Sequence, residues 1–113
     1  MAIFNQSILD HDFLQDMYND GYFPDNCVDL VKEVLLKLCQ SIEDEVPKTL
    51  EELYQLTDVA TEEINELQEV FEDADSEIET VARDAISTDV LFIAQSYGFT
   101  EADIESVVRN RDW

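Results

Sequence analysis

One histidine, two cysteines and 28 carboxylates are the residues from which this 113-residue chain could build chemistry. A di-iron centre in a helical bundle needs Glu-x-x-His on two helices and two further inward glutamates. The sole histidine, His11, has Ile8 three residues before it. A calcium loop fails in a similar way. Asp73-Ala-Asp75-Ser-Glu77 matches the first half of an EF-hand, but Ile78 stands where glycine makes the sharp turn, and the twelfth position is Asp84 in place of Glu. A hydrolytic triad needs a nucleophile, a base and an orienting group. His11 is the one candidate base, and its place between Asp10 and Asp12 in a helix opener predicts exposure to solvent or local capping. Carboxylate pairs such as Glu62 and Glu66 do acid/base work only when burial shifts a pKa. Both lie opposite the Ile64/Leu67/Phe71 stripe, in water, so no catalytic residue, metal site or cofactor is expected.

What remains is the acid itself. From Thr49 to Ala82 there are twelve Asp and Glu residues and no Lys or Arg. Glu62, Glu63, Glu66, Glu69, Glu72 and Asp73 project from one helix without a basic i,i+4 partner, and like charges at that spacing destabilise a helix. Interspersed lysines would have relieved the strain. A basic protein partner turns the repulsion into attraction and speeds association. The contact charges are expected at Glu62, Glu66, Glu69 and Asp73, flanked by Glu51, Asp58, Glu63 and Glu72.

Composition agrees. Formal net charge is −22, with six basic residues (Lys32, Lys37, Lys48, Arg83, Arg109, Arg111). Such a chain repels phosphate backbones and anionic membrane surfaces, so neither nucleic acid nor a membrane is an expected partner. It also repels itself. Raising NaCl from low to physiological concentration is therefore expected to raise the melting temperature by screening, and a melting temperature that falls would contradict this. No apolar run approaches the ~20 residues of a membrane span, and no basic region followed by an apolar run opens the sequence. Cys27 and Cys39 fall in one predicted helix, roughly 18 Å apart, too far for a disulfide. A reduced, cytoplasmic setting is expected.

The elements that must position the acid are helical. Hydrophobic residues make up 45% of the chain, enough for a core, while two glycines are too few for a many-stranded sheet. The expectation is an all-α, compact five- or six-helix bundle forming a single domain over residues 1–113. Apolar spacing predicts a first helix over 7–19, with Leu9, Phe13, Leu14 and Met17 inward, Ser7 and Asp10 as possible caps, and Asn19-Asp20-Gly21 as its stop. Tyr22-Phe23-Pro24 is an extended turn whose aromatics fold over the core. A central helix follows over 26–45, capped by Asp25 or Asn26, its wide apolar face running from Val28 to Ile42. Thr49-Leu-Glu-Glu52 is a capping box. A second cap near Thr57-Asp58 favours two helices over 49–73. Ser76-Glu-Ile-Glu79 is a second capping box that opens a helix to about Tyr97, ended by Gly98. Thr100 caps a short last helix with Ile104, Val107 and Val108 inward.

These segments carry a resemblance. Asp16-Met-Tyr18 with Tyr22-Phe-Pro24, Pro47-Lys-x-Leu-Glu-Glu-Leu-Tyr54, Ala60-Thr-Glu62, Ser76-Glu-Ile-Glu-Thr-Val-Ala-Arg83, Phe92-Ile-Ala94 with Tyr97-Gly-Phe99, and Arg111-Asp-Trp113 resemble a family of small acidic bacterial proteins of unknown function. The likeness spans nearly the whole chain. It implies a compact helical domain in bacterial cytoplasm and carries no activity with it. In size, acidity and helicity alone the chain also resembles immunity proteins that neutralise bacterial toxins, whose carboxylates can occupy the cationic site of a basic nuclease.

The reading that follows is a monomeric binding module without enzymatic activity, an immunity protein for a basic toxin domain being its concrete form. Two rivals stand beside it. One is a small-ligand binder or enzyme using Tyr18, Tyr22 and His11, with Arg83 as an anion clamp. The other is a homodimeric structural or regulatory subunit joined through apolar positions near Phe99 and Trp113.

Overall fold

Residues 3–113 are described by a computed structural model. Six helices follow in order: α1 (Gln6–Asp10), α2 (Gln15–Asn19), α3 (Asp25–Glu45), α4 (Leu50–Asp73), α5 (Thr80–Ser96) and α6 (Ile104–Val107), with no strand among the described residues. The all-α bundle expected from the apolar spacing is the fold observed. α3 and α4 form the main helical pair, and α5 packs with α1, α2 and α6.

α3 is the centre because its apolar residues nearly encircle it: Cys27, Val28, Val31, Val34, Leu35, Leu38, Cys39 and Ile42 are all buried. One contiguous core joins them to Phe71, Ile64 and Leu53 of α4 and to Ile86, Val90 and Ile93 of α5. Each such side chain contributes roughly 1.5–3 kcal/mol relative to exposure, which is how a core of this size outweighs the self-repulsion of the surface. The Cα radius of gyration, 13.4 Å, is that of a close-packed chain of this length. Both cysteines are buried and free, and burial, with the nearby Glu43 charge, pushes the Cys39 thiol up to about 12.

Several boundaries differ from the sequence expectation, each for a tertiary reason. The segment 7–19 is two short helices because Leu14 sits in the left-handed region (φ 57°) and its N–H donates to the Asp89 carboxylate of α5 at 2.7 Å. The break resets the helical phase, so Ile8 turns inward and Leu9 is left exposed. Asn5 caps α1, replacing Ser7 or Asp10. α3 begins one residue early, at Asp25, after Pro24. Of the two turn aromatics only Phe23 is buried, and Tyr22 stays exposed.

α4 is a single helix. The expected cap at Thr57-Asp58 does not form because Thr57 and Thr61 are buried, and their hydroxyls donate back to the carbonyls of Tyr54 and Thr57. Half of the Thr49 box forms as expected, with Thr49 Oγ1 accepting from the Glu52 N–H, while the Glu52 carboxylate accepts from the Lys48 N–H, one residue before the cap, and not from that of Thr49. Ser76 is no cap. The Ser76 N–H donates to the Phe71 carbonyl and the Asp75 N–H to that of Glu72, with Asp75 left-handed, closing the end of α4 in a Schellman motif. The Ser76 hydroxyl donates to the Tyr22 carbonyl, and α5 starts later, at Thr80. Gly98 (φ 94°) ends α5 as expected, by the same motif. Asp103, and not Thr100, caps α6. Ile104 is half out of the core, whereas Trp113 is buried and cannot serve as an exposed dimer contact.

Val46, which closes α3, is a β-branched residue in the left-handed region (φ 49°, ψ 62°). Pro47 follows it and disfavours continuing the helix. A conformation of this kind costs on the order of 1–3 kcal/mol, and the Val46 side chain is 61% exposed, so little packing offsets it. Val46→Gly is therefore expected to stabilise the fold by about 1 kcal/mol after the entropy glycine adds to the unfolded chain. Urea denaturation would measure this, and a loss of stability would refute the strain argument.

Candidate functional site

The inward stripe of α4 consists of Leu53, Tyr54, Thr57, Ala60, Thr61, Ile64 and Phe71. Helical geometry then turns the intervening positions to solvent. Glu51, Glu62, Glu66, Glu69, Glu72 and Asp73 are exposed, and Asp58 and Glu63 are half-buried.

Tertiary contacts divide this row in a way that helix spacing alone does not. Arg109 reaches from beyond α6 and grips Asp58 with both arms of its guanidinium, Nε to Oδ1 at 3.0 Å and Nη2 to Oδ2 at 2.8 Å. The same Nη2 touches Glu51 at 3.4 Å, and the guanidinium lies over the Tyr54 ring, 5.4 Å from its centroid. The hydrogen bonds that Arg109 donates to Asp58 and Glu51 hold it still more firmly in its charged form. On the other flank Lys37 of α3 donates to Glu63 at 2.6 Å. Surface pairs of this sort add little to stability, but they decide which carboxylates remain without a cation. Glu51, Asp58 and Glu63 each have a cation of their own chain.

Glu66, Glu69, Glu72 and Asp73 have none among the described residues, and Glu62 meets only the neutral Asn110 amide at 3.0 Å. Beside them runs an open groove of about 530 Å³ lined by Asn65, Glu66, Gln68, Glu69, Glu72 and Asp112. Its far wall is the C-terminal segment, held there by Asn65. The Asn65 amide nitrogen donates to the Asn110 carbonyl at 3.0 Å, and its oxygen accepts from the Asp112 N–H at 2.8 Å. Trp113 anchors the wall by burial, and Arg111 lies over the indole while donating to the Trp113 carbonyl. Asp112 thus faces a row of glutamates across the groove. The arrangement concentrates carboxylates along both sides of the groove and is complementary to cationic side chains.

His11 is neither solvent-exposed nor locally capped. Its Nε2 lies 2.9 Å from Asp89 Oδ1, 78 residues away in sequence. The ring stacks on Phe92 at 4.0 Å and meets Phe13 edge-on at 4.6 Å. A cleft of about 220 Å³ opens beside it, lined by His11, Asp12, Gln15, Asp16, Asp84 and Thr88 among others, with neither Tyr18 nor Tyr22 in its wall. The Tyr18 hydroxyl donates instead to Asp29; desolvation and that bond push its ionisation up. Tyr22 packs edge-on against Phe23. Arg83 makes no ion pair among the described residues, and its Nε is buried without a partner.

Sequence spacing missed Asp89, though the signal was there: Ala82, Ile86, Asp89 and Ile93 share one face of α5, and an aspartate on an apolar stripe demands a buried partner. Nothing in the sequence announced that Arg109 would meet Asp58, or that Asn65 would hold the last residues.

Comparison with known proteins gives a match over residues 7–113 to a family of unknown function (DUF5713). No curated protein and no solved structure matches. No helix among the described residues is long and apolar enough to cross a membrane.

Proposed function

The chain belongs to this family of unknown function, and from the chemistry of its surface we propose that it is a small acidic binding module whose α4 face engages a basic protein. Its most concrete form is an immunity protein that neutralises a basic bacterial toxin, such as a nuclease, by direct binding. The observation that carries this reading is the unrelieved row Glu62, Glu66, Glu69, Glu72 and Asp73 beside the groove walled by Asp112. Like charges at these spacings work against the helix, and the chain supplies cations to Glu51, Asp58 and Glu63 while leaving this row bare.

A cationic active site built to hold nucleic acid fits such a row, because carboxylates at helical spacing can stand in for successive phosphates. The small-ligand alternative at Tyr18, Tyr22 and His11 has less to support it, since those three side chains share no cleft. Affinity capture from the native host, with the wild-type chain beside a variant carrying Glu66→Lys, Glu69→Lys and Glu72→Lys, tests the reading. A basic protein held by the first and lost by the second supports it. Equal capture by both sinks it. A neighbouring gene encoding a secreted protein with a basic terminal domain would single out the toxin-neutralising form.

A further inference from the structure

The loop that follows α6 is tied to α4 by polar contacts, and every carboxylate among them belongs to the acidic face. Arg109 fastens Asp58 with two hydrogen bonds and reaches Glu51. Next to it the Asn110 side-chain amide donates to Glu62 at 3.0 Å. Asn65 then holds the loop by the Asn110 carbonyl and the Asp112 N–H. A short segment bearing a guanidinium and an amide donor lies along the first half of the face. The second half, from Glu66 to Asp73, has no cation among the described residues.

Residues 109–112 are all exposed, and they are bracketed by the buried Val107, Val108 and Trp113. Between those anchors the loop meets α4 through surface ion pairs, hydrogen bonds and the Arg109 guanidinium over the Tyr54 ring. Surface pairs add little net stability because water and salt compete for them. At the far end Asp112 stands across the groove from Glu66, Glu69 and Glu72, and like charge works against closure there. The loop can therefore lift from α4 while both of its ends stay rooted in the core.

Glu62 brings the loop into competition with a partner. It belongs to the row proposed to meet basic side chains, yet its carboxylate already accepts from Asn110. A lysine or arginine offers Glu62 a charge-assisted hydrogen bond, which is stronger than that of a neutral amide. Displacing Asn110 loosens Arg109, the residue before it. An incoming arginine can then reproduce what Arg109 does, a two-pronged grip on Asp58 with the guanidinium over the Tyr54 ring.

The geometry points to a self-inhibitory strap: residues 109–112 mask Glu51, Asp58 and Glu62 and are displaced when an arginine-bearing segment of the partner spreads along α4. This rests on the basic-partner reading of α4, and adds that the face a partner can use is longer than the row left without cations.

A hexa-arginine peptide is the probe, titrated at low salt into the whole ¹⁵N-labelled chain while backbone amide, arginine Nε–H and asparagine side-chain signals are followed. Saturating peptide should shift the amides of Glu66, Glu69 and Glu72. It should also move the Arg109 Nε–H and Asn110 side-chain signals to the positions of unbonded side chains. Arg109→Gln should raise the affinity roughly two- to fivefold. Lys32→Gln removes the same charge from a residue with no ion pair among the described ones, and should give a smaller gain. Asn110→Ala frees Glu62 at unchanged net charge and should tighten binding roughly twofold. If Glu66, Glu69 and Glu72 shift while the Arg109 and Asn110 signals stay in place, the strap is overturned and the α4 reading stands. An Arg109→Gln gain no larger than that of Lys32→Gln would overturn the strap as well. No shift at Glu66, Glu69 and Glu72 would overturn the α4 reading, and the strap with it.

Discussion

Replacing Asp89 by alanine is expected to cost about 3 kcal/mol of stability, the largest effect of any single polar substitution in this fold. The Asp89 side chain is only 10% exposed. One oxygen accepts from the buried Leu14 N–H at 2.7 Å and the other meets His11 Nε2 at 2.9 Å. Alanine leaves a buried N–H without a partner, which costs on the order of 1–3 kcal/mol by itself. It also removes the partner of His11, while releasing Leu14 from the left-handed region relieves part of the loss, since that conformation carries roughly 1–3 kcal/mol of strain. The α1–α2 joint is then free to revert toward the continuous helix its apolar spacing favours. For a domain of this size the midpoint should fall by 10 °C or more. Asp89→Asn, which keeps one acceptor, should lose less than half as much. A thermal or urea melt of the two variants checks both statements, and a loss below about 0.5 kcal/mol for alanine would mean that the joint is held by packing alone.

The second large effect is kinetic. Changing Glu66, Glu69 and Glu72 to lysine moves the net charge from −22 to −16, because each of three replacements adds two positive units. All six charge units fall on the groove side of α4. Electrostatic steering accelerates association by 10- to 1,000-fold at low salt, so reversing the steering charges should slow binding of a basic partner by roughly 10- to 100-fold there and by much less at high salt. These three are better choices than Glu62, which also accepts from Asn110, or Asp58 and Glu63, whose removal would strand Arg109 and Lys37. The variant should fold at least as well as the parent. A lysine at 66 lies four residues after Glu62, and one at 69 lies four before Asp73, so both replace repulsion with attraction along the helix. Unchanged or increased helicity by circular dichroism, together with slower association, separates a lost contact from a lost fold.

Much of this architecture was legible in the sequence, because burial follows periodicity. The face of α3 from Cys27 to Ile42, the apolar stripe of α5 and the stop at Gly98 all come from spacing and one backbone preference. Illegible were the places where a distant group overrules a local signal. Leu14 breaks a helix for the sake of Asp89, and Ser76 spends its hydroxyl on Tyr22. Thr57, like Thr61 after it, turns its hydroxyl back along α4, and the helix runs on through the cap expected at Thr57-Asp58. The acidic face followed the same division. Which carboxylates look outward is a matter of helical phase and could be read directly. Which of them are already neutralised depends on Arg109 and Lys37 folding against α4 from 51 and 26 residues away, a pairing that no local pattern encodes. Of the eight carboxylates at Glu51, Asp58, Glu62, Glu63, Glu66, Glu69, Glu72 and Asp73, the proposed contact therefore rests on the five without a cation among the described residues: Glu62, Glu66, Glu69, Glu72 and Asp73.

The most direct test of the central claim is the association rate of the captured basic partner, measured by stopped-flow as ionic strength is raised, for the wild-type chain and for the triple lysine variant. The account predicts a wild-type rate that falls steeply with salt, and a variant rate that starts far lower and falls with a shallower slope. Association that is independent of salt, or two curves that superimpose, would contradict it.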